Sequence, residues 1–98
     1  MTIAKTAEGT KLTLALEGSL DTNTAPQLEE TIANSIDGVT EMVLDLAKTE
    51  YLSSAGLRVI LATQKQMSKV GSLTITNVNE TIMEVFEVTG FTDILTIQ

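Results

Sequence analysis

Leu12, Leu14 and Leu16 alternate with Thr13, Ala15 and Glu17. This period of two predicts a strand with one buried face over Lys11–Glu17. The weaker apolar stretch Thr2–Ala7 ends at Glu8-Gly9, a turn signal. The two segments together read as a hairpin at the edge of a sheet. Gly18 to Asn23 then reads as a loop. Thr24 is placed to cap a helix, with Pro26 in its first turn and Gln27 positioned for a capping box. Leu28, Ile32 and Ile36 recur at helical spacing until Gly38 stops the pattern.

Met42-Val43-Leu44-Asp45-Leu46 is a short apolar run, which predicts an interior strand buried on both faces. A loop is expected over Ala47–Leu52, and a second helix from Ser53 or Ser54. There Leu57, Ile60, Leu61 and Met67 face inward, Gln64 interrupts the stripe and Gly71 serves as C-cap. Leu73–Val78 alternates as the next strand. Asn79 can cap a third helix, with Ile82, Val85 and Phe86 as its buried stripe and Gly90 as its stop. Asp93–Ile97 adds a short final strand.

Strand, strand, helix, strand, helix, strand, helix is an α/β order. Its two strand–helix–strand units require right-handed crossovers and parallel pairing. The expectation is one domain over residues 1–98: a mixed sheet of four to five strands packed with three to four helices.

Composition narrows the chemistry. The chain has 98 residues, of which 43% are hydrophobic, enough for one core. With two Phe, one Tyr and no Trp, that core rests on Leu, Ile, Val, Ala and Met. Thirteen acidic residues against six basic ones leave a net charge of −7, which repels nucleic acid and anionic membrane alike. Without Cys or His there is no thiolate chemistry, and the usual base near neutral pH is missing. No metal cluster, phosphate-cradling loop or Gly-x-Ser-x-Gly elbow is visible, so neither an enzyme nor a cofactor is expected. No apolar run has the length of a membrane span and no signal peptide is evident, which points to the cytoplasm.

One segment is more informative. Tyr51-Leu52-Ser53-Ser54-Ala55-Gly56-Leu57-Arg58 joins the end of a buried strand to a helix start, where α/β folds place functional groups. A single N-cap does not require Ser-Ser-Ala-Gly. Gly56 inside a first turn costs helix stability, and small residues there let a partner come close.

That stretch resembles the signature of the STAS domain family (sulfate transporter and anti-sigma-factor antagonist). Its bacterial antagonists carry aromatic-hydrophobic-Asp-Ser-Ser/Thr-Gly-Leu at this place. Gly18-Ser19-Leu20-Asp21 with Thr24-Ala25-Pro26 is similar to the family's first loop and helix. Phe86-Glu87-Val88-Thr89-Gly90-Phe91 is similar to its pattern before the C-terminus. The resemblance implies a STAS-like fold and a partner switch. The antagonist binds an anti-sigma factor that is also a serine kinase and releases the sigma factor. The kinase phosphorylates the antagonist and so frees itself, and a serine phosphatase reverses the step.

Carried over, the phosphorylated residue is Ser54, with Ser53 as second choice. The partner-binding surface comprises Asp21, Ser53, Ser54, Ala55, Gly56 and Arg58. The chain departs from the family where Ser53 replaces Asp, Ala55 replaces Ser or Thr, and Arg58 stands where Gly is frequent. Arg58, four residues beyond Ser54, either reaches a phosphate there or is an ordinary solvated arginine. Asp21 either borders the site or only shapes its turn. A monomer is expected when unbound. The rival reading keeps the fold without the switch, as a STAS subunit of a transporter or a signalling scaffold, with Ser54 a helix cap and nothing more.

Overall fold

The computed structural model describes all residues, Met1–Gln98. Five strands, β1 (Thr2–Glu8), β2 (Lys11–Leu20), β3 (Glu41–Leu52), β4 (Ser72–Thr76) and β5 (Thr96–Ile97), form one sheet in the order β1-β2-β3-β4-β5. β1 and β2 are the expected antiparallel hairpin, and every later pairing is parallel. Helix α1 (Ala25–Ser35) joins β2 to β3, and α2 (Ser54–Met67) joins β3 to β4. Helix α3 (Glu80–Val88) and a 3-10 turn at Phe91–Asp93 lead into β5. The expected mixed α/β architecture holds, with five strands and three α-helices.

From β2 onward each strand lies one place further along the sheet in the same direction. Right-handed crossovers in a constant direction put every helix on the same face. Leu12, Leu14, Leu16, Met42, Leu44, Leu46, Leu73 and Ile75 from the sheet meet Leu28, Ile32, Ile60, Met67, Ile82 and Phe86 from the helices in one core. No helix covers the opposite face. Val43 and Asp45 on that face are therefore only half-buried, which corrects the expectation that Met42–Leu46 is sealed on both sides.

Two expected loops are strand. β2 continues through Gly18 to Leu20, and β3 through Ala47 to Leu52. Between the pairs Ala15↔Asp45 and Glu17↔Lys48, β3 advances one residue more than β2. It does so again between Gly18↔Thr49 and Ser19↔Tyr51. Each extra residue is a β-bulge, which breaks the period of two. The buried positions of β3 thus run Leu46, Thr49, Leu52, three apart. The buried Thr49 hydroxyl is satisfied by donating to the Leu16 carbonyl at 3.0 Å.

Helix ends follow partly different rules from those expected. Asn79 caps α3 as read: its side chain accepts from Ile82 N at 2.8 Å and donates to Thr49 O at 3.0 Å. Thr24 occupies the N-cap place of α1 but makes no side-chain cap bond, and Gln27 turns away to the Met1 carbonyl, so no capping box forms. In α2, Leu61 is only half-buried while Val59 and Thr63 complete the inner face. Gly71 is not the C-cap; Ser68 is. Gly71 is needed because a Cβ there would lie 1.7 Å from the Thr40 carbonyl oxygen, which accepts from Ser72 N at 2.9 Å as β4 enters beside β3. Backbone cannot yield as a flexible side chain does. Gly71→Ala is expected to lower stability by about 2–3 kcal/mol, read from the urea midpoint at unchanged m-value.

Candidate functional site

The parallel strands β2 and β3 end together, Leu20 beside Leu52, at the edge of the sheet where α1 and α2 begin. Leu52 is buried, so the next residue must turn from the core toward solvent. Ser53 does this in an extended conformation, with φ −92° and ψ 172°, as the N-cap of α2. Its backbone groups and its side-chain oxygen are engaged. Its N–H donates to Leu20 O at 2.9 Å, its carbonyl accepts from Leu57 N at 2.9 Å and its Oγ accepts from Gly56 N at 3.3 Å.

Ser54 is the first residue of the helix, and its situation is the reverse. Its side chain is exposed and its hydroxyl has no partner within the protein. The amides of Ser54 and Ala55 have no acceptor either, as is usual in a first helical turn. The two adjacent serines therefore divide the roles: one holds the helix and the other is presented.

Gly56 is buried. A Cβ there would stand 2.7 Å from Leu20 Cγ and 2.8 Å from Leu52 Cδ1. The close approach it permits is internal, that of the first turn of α2 to two strand-end leucines. This replaces the idea that Gly56 clears space for a partner's backbone, and its place among the candidate contact residues becomes one of support. Ala55 is half-buried beside it, and Leu57 is buried.

Arg58 is exposed one turn further on. The chain's ion pairs are Lys11–Glu41 and Lys48–Glu17, so Arg58 has no carboxylate partner. Asp21 follows Leu20 directly and so lies at the same end as Ser53. Its Oδ1 accepts from Asn23 N at 2.9 Å and Thr24 N at 3.1 Å, and its carbonyl accepts from Ala25 N at 2.8 Å. Asp21 thus holds the turn that leads into α1. Thr24 locks the turn by donating to Ser19 O at 2.7 Å and accepting from Asp21 N at 2.8 Å.

The structure brings Asp21, Ser53, Ser54, Ala55, Gly56 and Arg58 together at one end of the sheet. Asp45 accepts from Ala47 N and Asn77 Nδ2 in the middle of β3, short of the Ser54 end. Tyr51 was absent from the candidate set, yet its ring is exposed at this rim. Its signal was available as the only tyrosine, at the head of the serine motif.

The chain matches the STAS domain model over residues 2–98. The chain belongs to the STAS domain family. Within it, homology places the chain among the anti-sigma factor antagonists. It is 41% identical over 85 residues to the Bordetella bronchiseptica protein BtrV, named as an anti-sigma factor antagonist, covering 85% of this chain and 73% of that one. It is 31% identical over 83 residues to the anti-sigma-B factor antagonist of Bacillus subtilis, covering 84% and 76%. The Bacillus antagonist SpoIIAA shares the fold. Its unphosphorylated form aligns with a TM-score of 0.79 at 18% identity, covering 99% of this chain and 87% of that one. The phosphorylated form aligns with a TM-score of 0.78 at 19% identity, covering 99% and 91%.

The unequal roles of the two serines have a measurable consequence for stability. Ser53→Ala is expected to cost about 0.5–2 kcal/mol through loss of the cap. Ser54→Ala should stay within about 0.5 kcal/mol of wild type, as for an exposed residue without partners. Chemical denaturation of the two variants checks both.

Proposed function

We propose that this chain is a phosphorylation-switched anti-sigma factor antagonist, with Ser54 as the modified residue. Unphosphorylated, it binds an anti-sigma factor that is also a serine kinase and thereby releases a sigma factor. Phosphorylated, it lets go, and a serine phosphatase restores it. It acts by binding rather than catalysis, as a single STAS domain over residues 1–98, in the cytoplasm and monomeric when unbound. The observation that supports this reading is the exposed, unbonded hydroxyl of Ser54 beside Ser53, whose side-chain oxygen caps α2. A kinase can take the first without disturbing the fold, whereas the second must give up a helix cap.

The chemistry of the first turn of α2 supports the role. A phosphoryl group adds roughly −1.5 to −2 charges and three acceptor oxygens. The free amides of Ser54 and Ala55 and the positive end of the helix dipole stabilise that charge. Arg58, on the same helix face and unpaired, supplies a guanidinium. Since the protein's own groups can accommodate the phosphate, the fold needs no rearrangement. SpoIIAA is described in both forms, and this chain aligns with the two almost equally well.

The switch then acts at the interface. A desolvated, unpaired charge costs on the order of 2–5 kcal/mol, enough to weaken docking roughly 30- to several-thousand-fold. Incubation with ATP and the cognate kinase should place one phosphate on Ser54, read by mass spectrometry. Ser54→Ala should take none and bind the kinase constitutively, and Ser54→Asp should bind it poorly. Wild-type affinity in Ser54→Asp would defeat the charge mechanism. No phosphate uptake by wild type would leave the non-switched scaffold or transporter subunit.

A further inference from the structure

The second bulge of β3 has a specific effect on one side chain. Thr49 faces the core, so an unbroken strand would also turn Tyr51 inward and Leu52 outward. The extra residue, Glu50, reverses both: Leu52 is buried, and Tyr51 is 53% exposed. Bulges concentrate beside functional sites, where they re-aim side chains. The ring displaced to solvent is three residues before Ser54, at the point where β2 and β3 end together. Its hydroxyl makes no hydrogen bond within the chain, and more than half of the residue is open to solvent.

The charges around it are mainly acidic. Glu50 precedes it, Asp21 lies across the strand pair, and Glu80 opens α3, which Asn79 ties to the Thr49 carbonyl. Arg58, one turn into α2, and Lys48, earlier on β3 and paired with Glu17, are the basic residues nearby. An exposed tyrosine in an acidic surround fits an apolar pocket with a basic rim.

We infer that Tyr51 is the aromatic anchor of the docking surface, seated on binding in a basic-rimmed apolar pocket of the anti-sigma factor kinase. The inference rests on the reading that this kinase docks over Ser54, and it adds the side chain that holds it there. Tyr51 is a positioning residue: it brings the Ser54 hydroxyl to the kinase and takes no part in phosphoryl transfer. It contributes affinity in the unphosphorylated state, and Glu50 contributes to the rate of encounter.

The test uses the purified kinase that phosphorylates Ser54 and measures its dissociation constant for unphosphorylated wild type, Tyr51→Ala and Tyr51→Phe by calorimetry. Tyr51→Ala is expected to bind roughly 30-fold or more weakly, and Tyr51→Phe within about threefold of wild type, since the ring carries most of the contact. In the kinase assay, KM for Tyr51→Ala should rise in step while kcat stays within about twofold, the signature of lost binding alone. Glu50→Lys should slow association about tenfold at low salt, with the difference fading as salt is raised.

A melting temperature within a few degrees of wild type is expected for Tyr51→Ala, because the residue lies outside the core cluster. Binding of a folded Tyr51→Ala within threefold of wild type overturns the inference while leaving Ser54 phosphorylation intact. Absence of phosphate on wild-type Ser54 overturns both. An unaltered association rate in Glu50→Lys overturns the basic rim.

Discussion

The first turn of α2 lies so near Leu20 and Leu52 that a single methyl group on Gly56 would come within 2.7 Å of one and 2.8 Å of the other. That contact fixes where the helix begins relative to the two strand ends. Once it is set, Ser53 has one place to go. Its N–H reaches Leu20 O, and its hydroxyl and carbonyl take the first helical amides. The following residue then projects into solvent with its own amide unused. Presentation of Ser54 is therefore a consequence of core packing, transmitted through one glycine and one cap. A larger side chain at position 56 would lift the helix, and with it the geometry of the whole segment.

The same packing explains why the site lies at an end of the molecule rather than on its face. Constant-direction crossovers place all helices on one side of the sheet, so every strand-to-helix turn emerges along the same edge. The turns at Asp21–Thr24, Ser53–Ser54 and Asn79–Glu80 come out there side by side. Two of them are linked through the extended end of β3, since Asn79 binds the carbonyl of Thr49. β2 and β3 outrun β4 by several residues, and the paired portion beyond the end of β4 carries Tyr51 to the rim.

Much of this was readable in the chain. The alternation of Leu12, Leu14 and Leu16, the helical spacing of Leu28 and Ile32 and the Asn79 cap each rest on local rules, and each appears in the structure. Reading stopped where the local rule was broken. Ala47–Leu52 looks like a loop because two bulges replace the period of two with a period of three, and a bulge depends on the partner strand rather than on its own residues. Gly71 was misread for a related reason: its need is set by Thr40, thirty-one positions earlier. Thr24 and Gln27 fit a capping box in sequence, but Ser19 and Met1 offered them better partners in space. The motif around Ser54 was legible because its residues are contiguous. The engaged state of Ser53 was not, since Leu20, the acceptor of its N–H, comes from another strand.

The cap formed by Ser53 has one more effect. Of two chemically identical neighbours, one lends its oxygen to the protein's own backbone and the other makes no bond at all. The asymmetry belongs to the native conformation and vanishes when the chain unfolds, because the two serines are then equivalent.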